Sequence, residues 1–237
     1  MYKFILLLTM ISAEAIFPRF ANKKKHVFMY VAKEMGCVRT DSIITIDGLL
    51  KEKDWSKANY ITATDSRHQT DNKMKVRTLW NAQYLYLFFQ IKDKNLQSKQ
   101  TIQDHPRLSA DDIAEFLIDA RNDKDSCWST DDIVYHINLL GQKKDDRGTS
   151  DCKSDSKWNG NAKIKVRLFG SLNDSSDIDE GYDVEVAITW KEIGVQPLAG
   201  SSIGIDFGNG DHGLFYDWAG AWPFRSPYHF GNLVFQK

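Results

Sequence analysis

From residue 43 onward, hydrophobic and polar residues alternate along most of the chain. Successive side chains of a β-strand point to opposite faces, so this alternation predicts strands. The clearest run is GYDVEVAITW, which places on one face Tyr182, Val184, Val186, Ile188 and Trp190. DIVYHINLL repeats the pattern with Ile133, Tyr135, Ile137 and Leu139. Five further segments rich in β-branched and aromatic residues also predict strands: MKVRTLW, QYLYLFFQIKD, AKIKVRLFG, SIGIDFG and HFGNLVF.

The segments between these strands are rich in turn-forming residues. NDKDS, GQKKDDRGTSD and SLNDSSDIDEG all combine Gly, Asn, Asp or Ser, which favour turns and loops. No long helical pattern interrupts the series. The chain is therefore predicted to be all-β, an antiparallel β-sandwich of the two-sheet jelly-roll or immunoglobulin-like type, with short helical turns only.

The segment SADDIAEFLIDARNDKD fits two local structures. As a helix capped by Ser109, it would place on one face Ile113, Phe116, Leu117 and Ala120. As a strand, it would bury Ala114, Phe116 and Ile118 and point Glu115 and Asp119 the other way. The predicted strands on either side favour the strand.

Composition and charge narrow the class of protein. The chain has 237 residues, 42% of them hydrophobic, enough for the core of one large domain. Its 31 basic and 32 acidic residues give a net charge of −1, which does not favour a nucleic-acid-binding or strongly membrane-attracted protein.

The N-terminal residues differ in character from the rest. MYKFILLLTMISAEA has a cationic start, an apolar run too short to span a bilayer and small residues near its end, the pattern of a secretory signal peptide. We therefore expect a signal peptide over 1–15, an N-terminal segment over 16–42 and the sandwich over 43–237. The protein is expected to be secreted or periplasmic, with no membrane span.

Three cysteines leave the disulfide state open. In an exported protein Cys127 and Cys152 would pair, because they bracket a predicted strand and the polar loop after it. Three free thiols, Cys37 included, are the alternative.

Five motifs in order resemble the family 9 carbohydrate-binding modules over roughly residues 43–237. They are IDGLLKEKDW, VRTLWNAQYLYLFFQIKD, DIAEFLID, YDVEVAITWKEIG and FGNLVF. The resemblance implies a sandwich that binds oligosaccharides or polysaccharides without cleaving them, in the service of carbohydrate catabolism. Such modules accompany O-glycosyl hydrolases, so a separately encoded glycoside hydrolase is the expected protein partner.

The same resemblance points to a sugar site. Trp222 and Phe224 would be stacking platforms, supported by Trp218, with Arg225 as a hydrogen-bond donor beside them. The sugar-lining glutamate of the family matches Glu115.

Two positions depart from the family pattern. The family's second stacking tryptophan would fall at Leu108 or Ser109, and a family arginine falls at His136, which would supply a polar contact instead. The clamp around the sugar is therefore expected to differ from that of other members.

Two other functions are compatible with parts of the sequence. Glu115 and Asp119 lie about 13 Å apart on one strand, too far for a glycosidase pair, so a hydrolase would have to use Glu115 with Glu185. An electron-transfer sandwich would hold haem between Met74 and His136. No cofactor is required for binding, and structural calcium would find oxygen ligands in DDRGTSD and NDSSDIDE.

Overall fold

A computed structural model describes residues 31–65, 68, 70–220 and 226–237. Its regular structure consists mainly of β-strands: β1 (Glu34–Arg39), β2 (Tyr60–Thr64), β3 (Lys73–Trp80), β4 (Tyr84–Lys92), β5 (Ile113–Asp119), β6 (Asp132–Asn138), β7 (Lys143–Gly148), β8 (Ser154–Asp155), β9 (Lys163–Phe169), β10 (Gly181–Thr189), β11 (Ser202–Asp211), β12 (Leu214–Asp217) and β13 (Gly231–Phe235). The helical elements are short: α1 (Trp190–Ile193) and 3₁₀ turns at Lys53–Ser56, Leu108–Ala110 and Pro227–His229.

The strands form two sheets. Sheet A runs in the order β8-β7-β6-β5-β11-β13, with β12 also paired to β11. Sheet B runs in the order β2-β3-β4-β10-β9. Strand β1 joins them, since its first half pairs with β13 and its second half with β3, both in parallel. The remaining strand pairs are antiparallel, and the predicted β-sandwich is confirmed.

One apolar core lies between the sheets. It contains the alternating faces predicted in β6 and β10, among them Tyr135 and Val184, both fully buried. Across the sheets, the rings of Phe89 in β4 and Phe207 in β11 meet edge to face with centroids 5.8 Å apart. Burial of these side chains on both inner faces holds the two sheets together.

The segment that fitted two structures forms strand β5. Ala114, Phe116 and Ile118 lie in the core, and the opposite face carries Glu115 and Asp119, as predicted for a strand. The helix interpretation is wrong, because β6 and β11 flank this segment and supply ladder partners along its whole length.

One domain boundary and one loop predicted from the sequence are wrong. The N-terminal segment assigned to 16–42 contains β1, whose Cys37 is fully buried, so the sandwich begins before residue 43. The chain forms one unit from Ala32 onward. The loop predicted in GQKKDDRGTSD contains strand β7, because the edge of β6 provides hydrogen-bond partners for this polar segment.

The predicted signal peptide over 1–15 lies outside the described residues. In the described part of the chain, no helix has the length and apolar character needed to cross a membrane.

Candidate functional site

One line of residues crosses the outer face of sheet A. Strand register places side by side Lys144, His136, Glu115, Gly208 and Asp217, from β7 through β6, β5 and β11 to β12. Their chain neighbours Tyr135, Phe116 and Phe207 belong to the core, so this line faces away from it. We call this surface the Glu115 face.

A buried ion pair stands at the centre of the Glu115 face. The Oε2 atom of Glu115 lies 2.6 Å from Nε2 of His136, and the two side chains are 1% and 14% exposed. Among the described residues, Oε1 of Glu115 and Nδ1 of His136 have no hydrogen-bond partner. Buried polar atoms are nearly always satisfied in folded proteins, so an acceptor held in place without a partner suits a ligand hydroxyl.

Two glycines of β11 allow close packing beside Glu115. A Cβ atom on Gly208 would lie 3.1 Å from Oε1 of Glu115, and one on Gly210 would lie 2.8 Å from the ring of Phe215. The half-buried Phe215 of β12 therefore lies over Gly210 at the edge of the Glu115 face. Phe215 was not among the site residues predicted from the sequence. Its place beside the site becomes visible only from the pairing of β12 with β11, which sets Phe215 opposite Gly210.

Asp206 anchors the chain that leaves this face. Its Oδ1 atom accepts hydrogen bonds from the backbone N–H groups of Phe207 at 2.8 Å and Ala219 at 2.7 Å. Burial, together with the negative charges of Asp217 and Glu115, raises the pKa of Asp206 well above its usual range. The loop after Ala219 is thus fixed at its start next to Glu115.

Only Trp218 among the aromatic residues predicted for the sugar site lies in the described part of the chain. Trp218 is only 6% exposed, and its ring packs 5.9 Å from that of Phe207. Trp218 is therefore a core residue, a position that suits the supporting role predicted for it. Trp222, Phe224 and Arg225 lie outside the described residues, and their roles stay predictions.

The other half of the outer face of sheet A is closed. Leu117, Val134, Trp128 and Phe230 form a small buried apolar cluster there. The ammonium group of Lys124 donates hydrogen bonds to the carbonyl oxygens of Phe230 and Gly231 at 2.8 and 3.2 Å. Ligand access on this face is therefore confined to the half around Glu115.

The position of the family's second stacking tryptophan offers no platform. Leu108 is fully buried and Ser109 is half-buried, both in a 3₁₀ turn before β5. Neither side chain provides an exposed aromatic surface, and the departure from the family clamp stays a prediction.

The hydrolase pair proposed from the sequence is not assembled. Glu185 projects from the outer face of sheet B, where its Oε2 atom accepts hydrogen bonds from the backbone of Gly48 and Asp47 at 2.8 and 2.9 Å. Glu115 projects from the outer face of sheet A. Packed sheets lie about 10 Å apart and these carboxylates point away from each other, whereas glycosidase carboxylates lie within roughly 5–9.5 Å. The Glu115–Glu185 hypothesis is wrong.

The haem hypothesis is wrong for a similar reason. Met74 is 1% exposed and points from sheet B into the core, while His136 lies on the outer face of sheet A. Sheet A separates the two side chains, so they have no common ligand position.

Two acidic clusters in the described residues have the geometry of cation sites. They are Asp112 with Asp211 and His212, and Asp119 with Asp123 and Asp131. Neither falls in the two loops proposed from the sequence. In those loops Asp145 is paired with Lys143, and Asp174 bonds to Ser176 within its own turn.

The carboxylates of the first cluster outnumber its one imidazole, His212. Burial, and the negative charges of Asp93 and Asp211, raise the pKa of Asp112 to about 8. Asp93 is 3% exposed, and its Oδ2 atom has no hydrogen-bond partner among the described residues. Carboxylate oxygens are the ligands that Ca²⁺ prefers, so these residues fit such an ion.

Comparison with known sequences gives the family. The profile of the family described as carbohydrate family 9 binding domain-like matches residues 46–237, and the chain belongs to this family. The family comprises carbohydrate-binding modules, so the chain is a binding domain and not an enzyme. The family assignment made from the motifs is confirmed.

The curated relatives are much longer proteins. Endo-1,4-beta-xylanase A of Thermotoga maritima is 29% identical over 167 residues, which are 67% of this chain and 14% of that enzyme. Exoglucanase XynX of Acetivibrio thermocellus is 28% identical over 162 residues, or 68% of this chain and 13% of that enzyme. The similarity thus spans about one seventh of each relative.

Solved structures share the fold. A family 9 module from Caldicellulosiruptor kristjanssonii in complex with cellotriose superposes with a TM-score of 0.65 at 19% identity, covering 86% of this chain and 94% of that one. A module from the same organism in complex with glucose gives a TM-score of 0.62 at 18% identity, covering 86% and 96%.

Proposed function

We propose that this domain binds neutral oligosaccharide or polysaccharide chains on the Glu115 face. The observation that carries the proposal is the free Oε1 atom of Glu115, buried beside Gly208 and held in place by His136. Family membership and the fold shared with modules bound to cellotriose and glucose support this class of ligand.

The chemistry of the face suits a sugar hydroxyl. A hydroxyl donates its proton to Oε1 of Glu115 and places its own oxygen near the imidazole of His136. Pyranose rings present C–H groups that pack on aromatic rings, and Phe215 lies at the rim of the face. Trp222 and Phe224 would add stacking platforms and Arg225 a hydrogen-bond donor, as the family resemblance implies.

In the cell, binding keeps a glycoside hydrolase on its polysaccharide, and the hydrolase is a separately encoded partner. The xylanase and exoglucanase relatives support this role in polysaccharide catabolism. The protein is exported by its signal peptide. The disulfide that joins Cys127 and Cys152, with Cα atoms 5.4 Å apart, supports an oxidising destination.

A structural calcium ion is part of the proposal. Asp112, Asp211 and His212 would hold it, and the nearby charge of Asp93 would add to its attraction. The ion would neutralise the mutual repulsion of these carboxylates and tie β11 to the segment before β5. The sugar face itself requires no cofactor.

Calorimetric titration with cellotriose, xylotriose and glucose tests the sugar site. Wild-type protein should bind at least one of them saturably, and Glu115→Gln should weaken that binding about tenfold or more, since it exchanges a charged acceptor for a neutral amide. Glu34→Gln, at an exposed position of β1, is the matched control and should bind like wild type. Equal affinity of the Glu115→Gln variant and wild type would place the sugar elsewhere.

A further inference from the structure

The outer face of sheet B carries an open groove of 610 Å³. Strand register sets side by side Thr62, Lys75, Gln90, Asp183 and Arg167, from β2 through β3, β4 and β10 to β9. The adjacent line contains Lys73, Lys92 and Phe169. We call this surface the basic groove. It lies on the opposite side of the sandwich from the Glu115 face.

The cations of the basic groove outnumber the carboxylates near them. Among the described residues, none of Lys73, Lys75, Lys92 and Arg167 forms an ion pair. Lys73 and Lys92 stand directly opposite each other on β3 and β4, an arrangement of like charges that destabilises a sheet. Asp71, the carboxylate whose pKa both lysines help to lower, is already paired with Lys94. A bound anion would relieve this repulsion.

The positive character is local to this face. The whole chain has a net charge of −1, whereas three lysines line the groove against the carboxylates of Asp183 and Glu180, and Arg167 stands beside Asp183 on β9. Burial raises the pKa of Asp183 to about 6, so its charge offsets little of the surrounding positive potential at mildly acidic pH. An electrostatic field of this kind attracts polyanions.

Aromatic rings flank the cations at both edges of the sheet. Tyr60 on β2 is 57% exposed, and the ammonium group of Lys75 lies 3.8 Å from the centre of its ring. On β9, the guanidinium carbon of Arg167 lies 4.9 Å from the ring centre of Phe169. The two edges are four strand spacings apart, about 19 Å. Rings at both ends of a polar floor suit an extended chain of sugar rings.

We propose that the basic groove binds a polysaccharide that carries uronic-acid carboxylates. Lys73, Lys75, Lys92 and Arg167 contact the carboxylates, and Tyr60 and Phe169 pack against sugar rings. The proposal shares only the class of ligand with the proposed function, because the two surfaces belong to different sheets.

The spacing of the charges favours this ligand over nucleic acid. The three lysines of the groove stand about 5–7 Å apart, as set by strand and residue spacing, and Arg167 lies two strand spacings from Lys92, about 10 Å, with Asp183 on the strand between them. Duplex DNA carries one negative charge per about 1.7 Å, a density that would bring phosphates against Asp183. Sparse carboxylates on every sugar or every few sugars match the groove better.

Titration with polygalacturonate oligosaccharides at low salt tests the proposal. Wild type should bind, with an affinity that falls as salt rises. The double variant Lys75→Glu/Lys92→Glu should bind at least about tenfold more weakly, because two attractive charges become repulsive. Lys157→Glu/Lys191→Glu, which changes net charge equally at exposed positions elsewhere, should bind like wild type.

Further arms separate this site from the first. Glu115→Gln should leave polygalacturonate binding unchanged, while Lys75→Glu/Lys92→Glu should leave cellotriose binding unchanged. Unaltered polygalacturonate affinity in the groove variant, or no wild-type binding to it, would overturn the proposal. Tighter binding to single-stranded DNA or to heparin would also overturn it, in favour of nucleic acid or a sulfated chain.

Discussion

His136 holds Glu115 by an ion pair of 2.6 Å between neighbouring strands, and both side chains turn away from the core onto the outer face of sheet A. A carboxylate that is 1% exposed would be strongly disfavoured without such a partner. The pair therefore has two roles: it stabilises the folded sheet, and it fixes the orientation of the carboxylate oxygen that has no partner.

The structural role predicts non-additive effects of substitution. His136→Ala should lower the free energy of unfolding by about 2–4 kcal/mol, because it leaves a buried carboxylate without its partner. Glu115→Gln/His136→Ala should lose less than the sum of the two single changes, since the stranded charge is gone. Urea unfolding of the four proteins in a double-mutant cycle measures the coupling. Strict additivity would show that the ion pair contributes nothing.

The binding role predicts that arginine can replace His136 without loss of sugar binding. His136→Arg supplies two donors to Glu115 and remains charged at all pH values, so it should bind cellotriose at least as well as wild type. His136→Ala should bind about tenfold more weakly. Calorimetry at neutral pH compares them. If alanine and arginine behave alike, His136 does not orient the acceptor.

The sequence was sufficient for the fold and for much of the site's content. Alternation located Phe116, Tyr135 and Val184 in the core, and the motifs identified the family. Alternation also pointed Glu115 away from the core. Its pairing with His136 depends on the register between β5 and β6, which the intervening loop sets and the sequence pattern does not reveal.

The errors have physical causes. Strand β7 is charged because it lies near the edge of sheet A, next to the two-residue β8, where polar residues are tolerated. Strand β1 is short and contains Gly36, so it has little alternation, although it pairs with both sheets. The predicted pairs of Glu115 with Glu185 and Met74 with His136 are wrong because the sequence pattern does not show which sheet each strand joins.

Glu185 predicts a pH dependence of stability. Burial is the main cause that raises its pKa from 4.5 to about 7, and the charges of Glu52 and Asp47 add to it. The folded state therefore favours the protonated form. Protonation of Glu185 therefore stabilises the folded state fully below about pH 4.5, and this contribution is lost as pH rises to about 7, a change of about 3 kcal/mol.

Glu185→Gln isolates this effect. The amide oxygen can still accept the hydrogen bonds from Gly48 and Asp47, and the titration is removed. The variant should gain stability relative to wild type between pH 4.5 and 7.5, as measured by denaturant unfolding at several pH values. Glu180→Gln, at an exposed glutamate near the same sheet, should follow wild type throughout. A constant difference between Glu185→Gln and wild type would contradict the prediction.

Calcium should stabilise the domain through Asp112. At about 100 times its dissociation constant, a single bound ion adds about 2.7 kcal/mol, which raises the Tm of a domain of this size by roughly 5–10 °C. Thermal unfolding with calcium and with chelator measures the shift. Asp112→Asn should abolish it, whereas Asp123→Asn, in the second acidic cluster, should retain it. A shift that survives Asp112→Asn would assign the ion to another position.

The disulfide between Cys127 and Cys152 should contribute substantially to stability. It links the segment before β6 to the turn after β7 and closes a loop with a sequence separation of 25 residues. Restriction of the unfolded chain by such a loop is worth about 3 kcal/mol, so Cys127→Ser/Cys152→Ser should lower the free energy of unfolding by about that amount. Reduction of wild type should have the same effect and leave the stability of the double variant unchanged.

Thiol titration provides the control: native protein should react slowly because Cys37 is buried, and denatured protein should show one thiol. Three reactive thiols in denatured, unreduced protein would mean that the bond does not form.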